Sequence, residues 1–270
     1  MRLRRTVAVQ WQRDHPREYL YAGECRGADV AAWRQAARAE AATASGSHYA
    51  QFLVDQAKAF DRVPHWLLVR EAVHFGYPLR MLKRSLAAYR MERVVRIGQC
   101  VSSTLVATRG ITAGSGLACD EMCLAMMRIV DLATRQLDKV QATLYVDDLS
   151  GECSHSDSEV VIRQLTGFGL AVCSMLTSNG MEVSRSTSVV VASSGRIAER
   201  VVGELQAFAV RRVASAKSLG IDVAAGVRRT TKVLRKRLKA FRARLPGFSR
   251  LKRAKKAVSY THLTLPTTPY

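Results

Sequence analysis

Two adjacent carboxylates, Asp147 and Asp148, close the apolar run from Ala142 to Val146, and apolar and small residues resume directly after them. In a strand, neighbouring side chains point to opposite faces, so both acids cannot be buried there without cost. A tight hairpin tip removes the conflict by presenting both at one edge of a sheet. Two packed carboxylates repel unless a cation lies between them, and hard divalent ions take oxygen donors of this kind. Taken alone, Asp-Asp is most often an ordinary turn, because Asp hydrogen-bonds its own backbone there. A third carboxylate in a matching context changes the weighting. Phe52, Leu53 and Val54 form another short apolar run, and Asp55 follows it. Two segments far apart in sequence thus each read as a strand ending on Asp. Side by side in one sheet, they would gather three carboxylates suited to two metal ions, which can activate an attacking oxygen and stabilise a leaving one in phosphoryl transfer.

These residues resemble a family. Tyr145-Val146-Asp147-Asp148 matches the palm signature of reverse transcriptases, and Asp55 to Val63 resembles their first palm motif. The version Lys58-Ala59-Phe60-Asp61-Arg62-Val63 is most similar to RNA-directed DNA polymerases of non-LTR retroelements and group II introns. Recognisable landmarks run from Phe52 to Asp222. The resemblance implies an α/β (α+β) polymerase palm over residues 51–222, with an antiparallel sheet and packed helices. It also implies a partial fingers region over 1–50, shorter than the family's usual one, and the start of a helical thumb over 223–258. Asp55 and Asp147 would bridge two Mg2+ ions, with Mn2+ as a substitute and Asp148 lending charge. An RNA template, a DNA primer and dNTPs would be the partners. Phe60 would pack under the sugar of the incoming nucleotide and exclude a 2′-hydroxyl by clash, although a core phenylalanine reads the same from sequence.

Three further stretches match family motifs with departures. Arg109-Gly110-Ile111-Thr112-Ala113-Gly114 precedes a helical stretch (117–137) and resembles the second palm motif. It implies dNTP contacts at Arg109, Gly110, Ala113 and Gly114, but Ala113 stands where the family carries glutamine. The stretch Met181 to Val191 resembles the fourth motif. There Thr187 replaces the lysine that protonates departing pyrophosphate, and the nearest cation, Arg185, is a poor general acid because its guanidinium stays protonated. Lys217-Ser218-Leu219-Gly220 resembles the motif that grips the primer strand. Lys217, Leu219 and Gly220, with Tyr145, form the expected nucleic-acid contacts there.

Charge points the same way. The 270 residues carry 42 Lys+Arg against 22 Asp+Glu, a net +20. A chain this basic usually meets a polyanion, because neutralising phosphates releases counterions. The basic run from Arg228 to Lys256 reads as an amphipathic helix broken at Pro246-Gly247, with Arg235, Lys236 and Lys239 on a phosphate-tracking surface; an import signal could overlap Lys252 to Lys256. Helices are expected over 29–44, 65–75, 79–89 and 156–177, and a hairpin over 93–97 and 103–107. Arg2 to Arg17 reads equally as a nucleic-acid surface or a fraying end, and Arg26 as a phosphate contact or an ordinary surface arginine. No apolar segment reads as long enough to span a bilayer, so no membrane partner is expected. Six cysteines lack metal spacing and read as reduced thiols of an intracellular protein, nuclear when expressed. The Thr- and Pro-rich stretch 259–270 resembles a translated adaptor and is set aside. Two competing readings are a catalytically dead retroelement remnant that only binds nucleic acid, and another palm-type nucleotidyl enzyme such as a nucleotide cyclase.

Overall fold

The computed structural model describes residues 2–23, 26–112, 114–225 and 230–253. In chain order its elements are α1 (Arg2–Asp14), α2 (Ala28–Ala44), β1 (His48–Val54), α3 (Ala59–Arg62), α4 (His65–His74), α5 (Leu79–Tyr89), β2 (Arg96–Ile97), β3 (Cys100–Val101) and α6 (Ala118–Thr134). There follow β4 (Val140–Tyr145), β5 (Asp148–His155), α7 (Ser158–Ser178), β6 (Val189–Ala192), α8 (Gly195–Glu204), β7 (Arg211–Arg212), β8 (Ala216–Ser218), β9 (Ile221–Val223) and α9 (Lys232–Arg253). Met1–Thr230 form one compact unit and Thr231–Tyr270 a second.

A five-stranded sheet of order β4-β5-β1-β6-β7 organises the first unit. Every pairing in it is antiparallel except that of β6 with β7. Alternation with period two sorts the strands into two faces. Phe52 and Val54 of β1, Leu149 and Cys153 of β5, Leu144 of β4 and Val190 of β6 turn to one side. There they pack with Leu165, Phe168 and Val172 of α7 and Met122, Met126 and Met127 of α6. The other side carries Tyr49, Gln51, Thr143, Ser150 and Glu152, all buried. Helix α2 lies over part of this polar face: Gln35 bonds Ser150, and Arg38 reaches Thr143 and Glu152.

The close fit of sheet and helix is sharpest at Gly151, where any Cβ would overlap the ring of buried Phe168. Gly151→Ala is expected to cost about 1–3 kcal/mol through overpacking. Thermal unfolding of Gly151→Ala beside Gly151→Ala/Phe168→Leu tests this, the smaller side chain returning much of the loss.

The structure corrects four expectations. Helix α7 is long and apolar enough by composition to cross a membrane, contrary to the sequence reading. In this fold its Val161, Leu165, Phe168, Val172 and Leu176 are buried in the core. The N-terminal segment is not a frayed end: it forms α1. Trp11 is buried and donates its indole N–H to Phe75 O at 2.8 Å, which seats α1 against the core. A hairpin forms, but its strands are two residues each and the second, Cys100–Val101, precedes the expected 103–107, where Leu105 makes an isolated bridge to Arg93. Helix α9 continues through Pro246. Proline removes one helical hydrogen bond, and residues 234–247 are all exposed, so water can serve the leftover carbonyl.

Candidate active site at the open end of the sheet

Asp55 stands one residue beyond β1. Val54 pairs with Leu149 and Leu53 with Val189, so one step beyond the first pair sets Asp55 beside Asp148 on one flank, and two steps beyond the second sets it beside Thr187 on the other. Its backbone is fixed on that second flank. Ser184 N donates to Asp55 O at 2.7 Å, and Asp55 N donates to the buried Ser188 Oγ at 3.1 Å. Thr187 Oγ1 donates to the carboxylate oxygen Asp55 Oδ2.

The other two acids come from the β4–β5 hairpin. Tyr145 pairs with Asp148, leaving Val146 and Asp147 as a two-residue loop. Such loops need positive φ at their first position, and Val146 adopts φ 61. A β-branched residue rarely does so, and backbone strain of this kind gathers at working sites. Gln56, buried and adjacent to Asp55, donates Nε2 to Asp147 O at 3.4 Å, so the two acid-bearing segments are tied directly.

The electrostatics agree with this proximity. Loss of solvent raises the Asp147 carboxyl above the usual range, and the Asp55 charge adds to it. Asp148 is raised for the same first reason, then by Asp147 and by Asp55, while Lys217 pulls it down. Three acids therefore feel one another across a partly desolvated edge. Among the described residues, however, no three His, Cys, Asp or Glu side chains converge closely enough to hold a metal ion as they stand. The donor set has the chemistry a hard cation takes, all carboxylate oxygen, while the Asp55 side chain is engaged by Thr187.

Asp55, Tyr145 and Asp148 line an open groove of about 640 Å3 whose opposite wall is the β8–β9 hairpin, with Lys217, Leu219 and Gly220. Leu219 and Gly220 turn that hairpin at φ 46 and 85. Asp147 sits at the loop between this groove and the N-terminal part of α6, where its charge reaches Cys119 and Cys123. Arg211 lines the groove, whereas the expected cation Arg185 is exposed and is not among the groove's lining residues. No motif marks Arg211; only the pairing of β7 with β6 brings it there.

The remaining candidates are more dispersed. Phe60 is partly buried against the core. Gly110 has φ 96 and approaches Asp61 so closely that a Cβ would meet its carbonyl oxygen at 3.0 Å. Arg109 and Gly114 are exposed, and Ala113 lies outside the described residues. Arg26 donates to the carbonyls of Arg17, Glu18 and Leu20, so it closes a turn of its own chain. Arg235, Lys236 and Lys239 are exposed on α9, in the second unit. Cys100 and Cys119 are exposed free thiols, Cys123, Cys153 and Cys173 are buried ones, and Cys25, like the stretch 259–270, lies outside the described residues.

One more acid near this end titrates in an accessible range. Partial burial pushes Asp120 up to about 6, with Arg5 opposing, and Gln12 Nε2 donates to its Oδ1 at 2.5 Å. Because the folded-state value exceeds the ordinary 3.8, the folded protein holds the proton more tightly than the unfolded chain. Stability from this group therefore falls as pH rises from about 4 to 6. Asp120→Asn keeps the acceptor and removes the charge. It is expected to raise stability at pH 7 by ~2 kcal/mol and to leave it unchanged near pH 3.5, as denaturant unfolding at both values would show.

No protein-family profile matches this sequence, and no curated protein matches it either. Solved structures do share its architecture. Telomerase from Candida tropicalis in complex with a TWJ fragment of telomeric RNA superposes over 82% of this chain with TM-score 0.56 at 10% identity. Apo telomerase from Candida tropicalis does so over 82% with TM-score 0.57 at 9% identity. This chain covers 35% and 39% of those two chains, well under half of each. The likeness is one of fold: a mixed α/β, reverse-transcriptase-like arrangement of sheet and packed helices.

Proposed function

We propose that this chain carries the palm of an RNA-directed DNA polymerase of the non-LTR retroelement and group II intron type, which extends a DNA primer along an RNA template. The observation that carries the reading is the register: two strand ends, with the strained Val146–Asp147 loop, bring Asp55, Asp147 and Asp148 into mutual electrostatic reach beside an open groove. The telomerase-like fold supports it.

In this reading Asp55 and Asp147 hold two Mg2+ ions, or Mn2+, with Asp148 adding charge. When bound, such ions activate a primer 3′-hydroxyl and steady the charge on departing pyrophosphate. The protein's own part is positioning and neutralisation. Gln56 holds the Asp147 loop against the Asp55 segment. Lys217 and Arg211 place positive charge along the groove for a nucleic-acid backbone, and Tyr145 offers a ring for stacking. Phe60, Arg109, Gly110 and Gly114 frame the dNTP side, and the basic α9 begins a thumb. Residues 1–50 contribute the fingers portion, and the protein works in the nucleus.

A second reading rests on specific observations. Thr187 donates to the Asp55 carboxylate, and among the described residues no three-ligand cluster is formed as the side chains stand, which suits a remnant that binds nucleic acid without catalysis. Extension of oligo-dT on poly-A RNA in Mg2+ and then Mn2+, beside Asp147→Asn, separates the two. Synthesis by the parent alone supports the polymerase. Salt-sensitive RNA binding with no synthesis by either supports the remnant.

A further inference from the structure

The β8–β9 hairpin forms its own two-stranded sheet, apart from the five-stranded sheet that carries the acids. Something must therefore set how far Lys217 stands from Asp148, and side chains from α2 meet both. Gln35 of α2 is 2% exposed. Its Nε2 donates to Ser150 Oγ at 2.9 Å, and its Oε1 accepts from Ser218 Oγ at 3.2 Å. Ser150 lies two residues after Asp148 on β5, on the same face, and Ser218 adjoins Lys217 on β8. Both ends of one amide are thus used, each on a different wall of the groove, and Gln35 itself lines that groove.

We propose that Gln35 is a positioning residue that couples the Lys217 hairpin to the Asp148 strand and so fixes the groove at a width that grips a primer–template duplex. The proposal rests on the polymerase reading of the groove and adds to it the part that sets its width. An amide suits the task because it donates and accepts at fixed angles from one planar group, and it carries no charge that would need a counter-ion once buried. Loss of either bond leaves a buried hydroxyl or a free wall. Methionine fills the same space without either bond.

The test is a double-mutant cycle on the full chain, read as binding of a fluorescent primer–template duplex without nucleotide. Gln35→Met and Lys217→Ala are each expected to weaken binding about five- to tenfold. If Gln35 acts through Lys217, the double variant binds no more weakly than the worse single one. Unfolding midpoints read beside the binding distinguish a general loss of fold from a loss of grip. Multiplicative losses in the double variant, or unchanged binding by Gln35→Met, would overturn the positioning role. Unchanged binding by Lys217→Ala would instead remove the groove as the nucleic-acid site, and with it the premise.

Discussion

Asp147→Asn is expected to abolish primer extension, with a loss on the order of a thousandfold, while the protein stays folded and still binds nucleic acid. The amide keeps the size and leaves the two-residue loop unchanged, so Val146 keeps its φ of 61 and Gln56 keeps its bond to Asp147 O. What disappears is the charge a divalent cation needs. That charge is a burden to the metal-free fold, because loss of solvent and then the Asp55 charge raise the carboxyl above its ordinary value. In metal-free buffer the variant should therefore unfold at a higher midpoint than the parent at pH 7. The gap should close as pH falls and both proteins lose the charge. Lost synthesis with gained stability is the signature of a functional carboxylate. Lost synthesis with lost stability would show that Asp147 serves the fold instead.

The second large effect is on folding. Glu152 is 1% exposed, receives the Tyr49 O–H at 2.6 Å and is paired with Arg38 from α2. Removing one member of a buried ion pair costs about 3–5 kcal/mol, because the other is left charged and unpaired. Arg38→Met is therefore expected to lower stability by about 3 kcal/mol at pH 7. Burial already raises the Glu152 carboxyl, and Arg38 is the first influence holding it down. Without Arg38 it rises further, the folded state takes up a proton more readily, and the loss should shrink below pH 5. Arg38→Met/Glu152→Gln should recover part of the stability at pH 7. Chemical denaturation across pH checks all three statements. Glu152, Ser150 and Asp148 occupy alternate positions on one face of β5, and the last two line the groove.

Much of this site was legible because it is local. Strands that end on acids are written in neighbouring residues. Register then does the rest, since once β1 and β5 pair, Asp55 and Asp148 have little choice of neighbour. What stayed hidden depends on residues far apart. Nothing in an alanine-rich helix marks Gln35 or Arg38 as buried partners of β5, although Glu152 inside a run of small and apolar residues was a clue that a cation had to lie opposite. Trp11 stood in a basic, polar stretch, and only docking on Phe75 made it core. Arg211 reaches the groove through a two-residue parallel pairing too short to read from sequence. Helix α7 gave an ambiguous signal in principle, because a core helix and a membrane span share the same composition.

The most direct test of the whole account is single-nucleotide incorporation on a heteropolymeric RNA template with each dNTP offered separately in Mg2+. The expected result is addition of the complementary dNTP only, absent in Asp147→Asn. Addition regardless of template, or none at all from a chain that still binds the duplex, would contradict it.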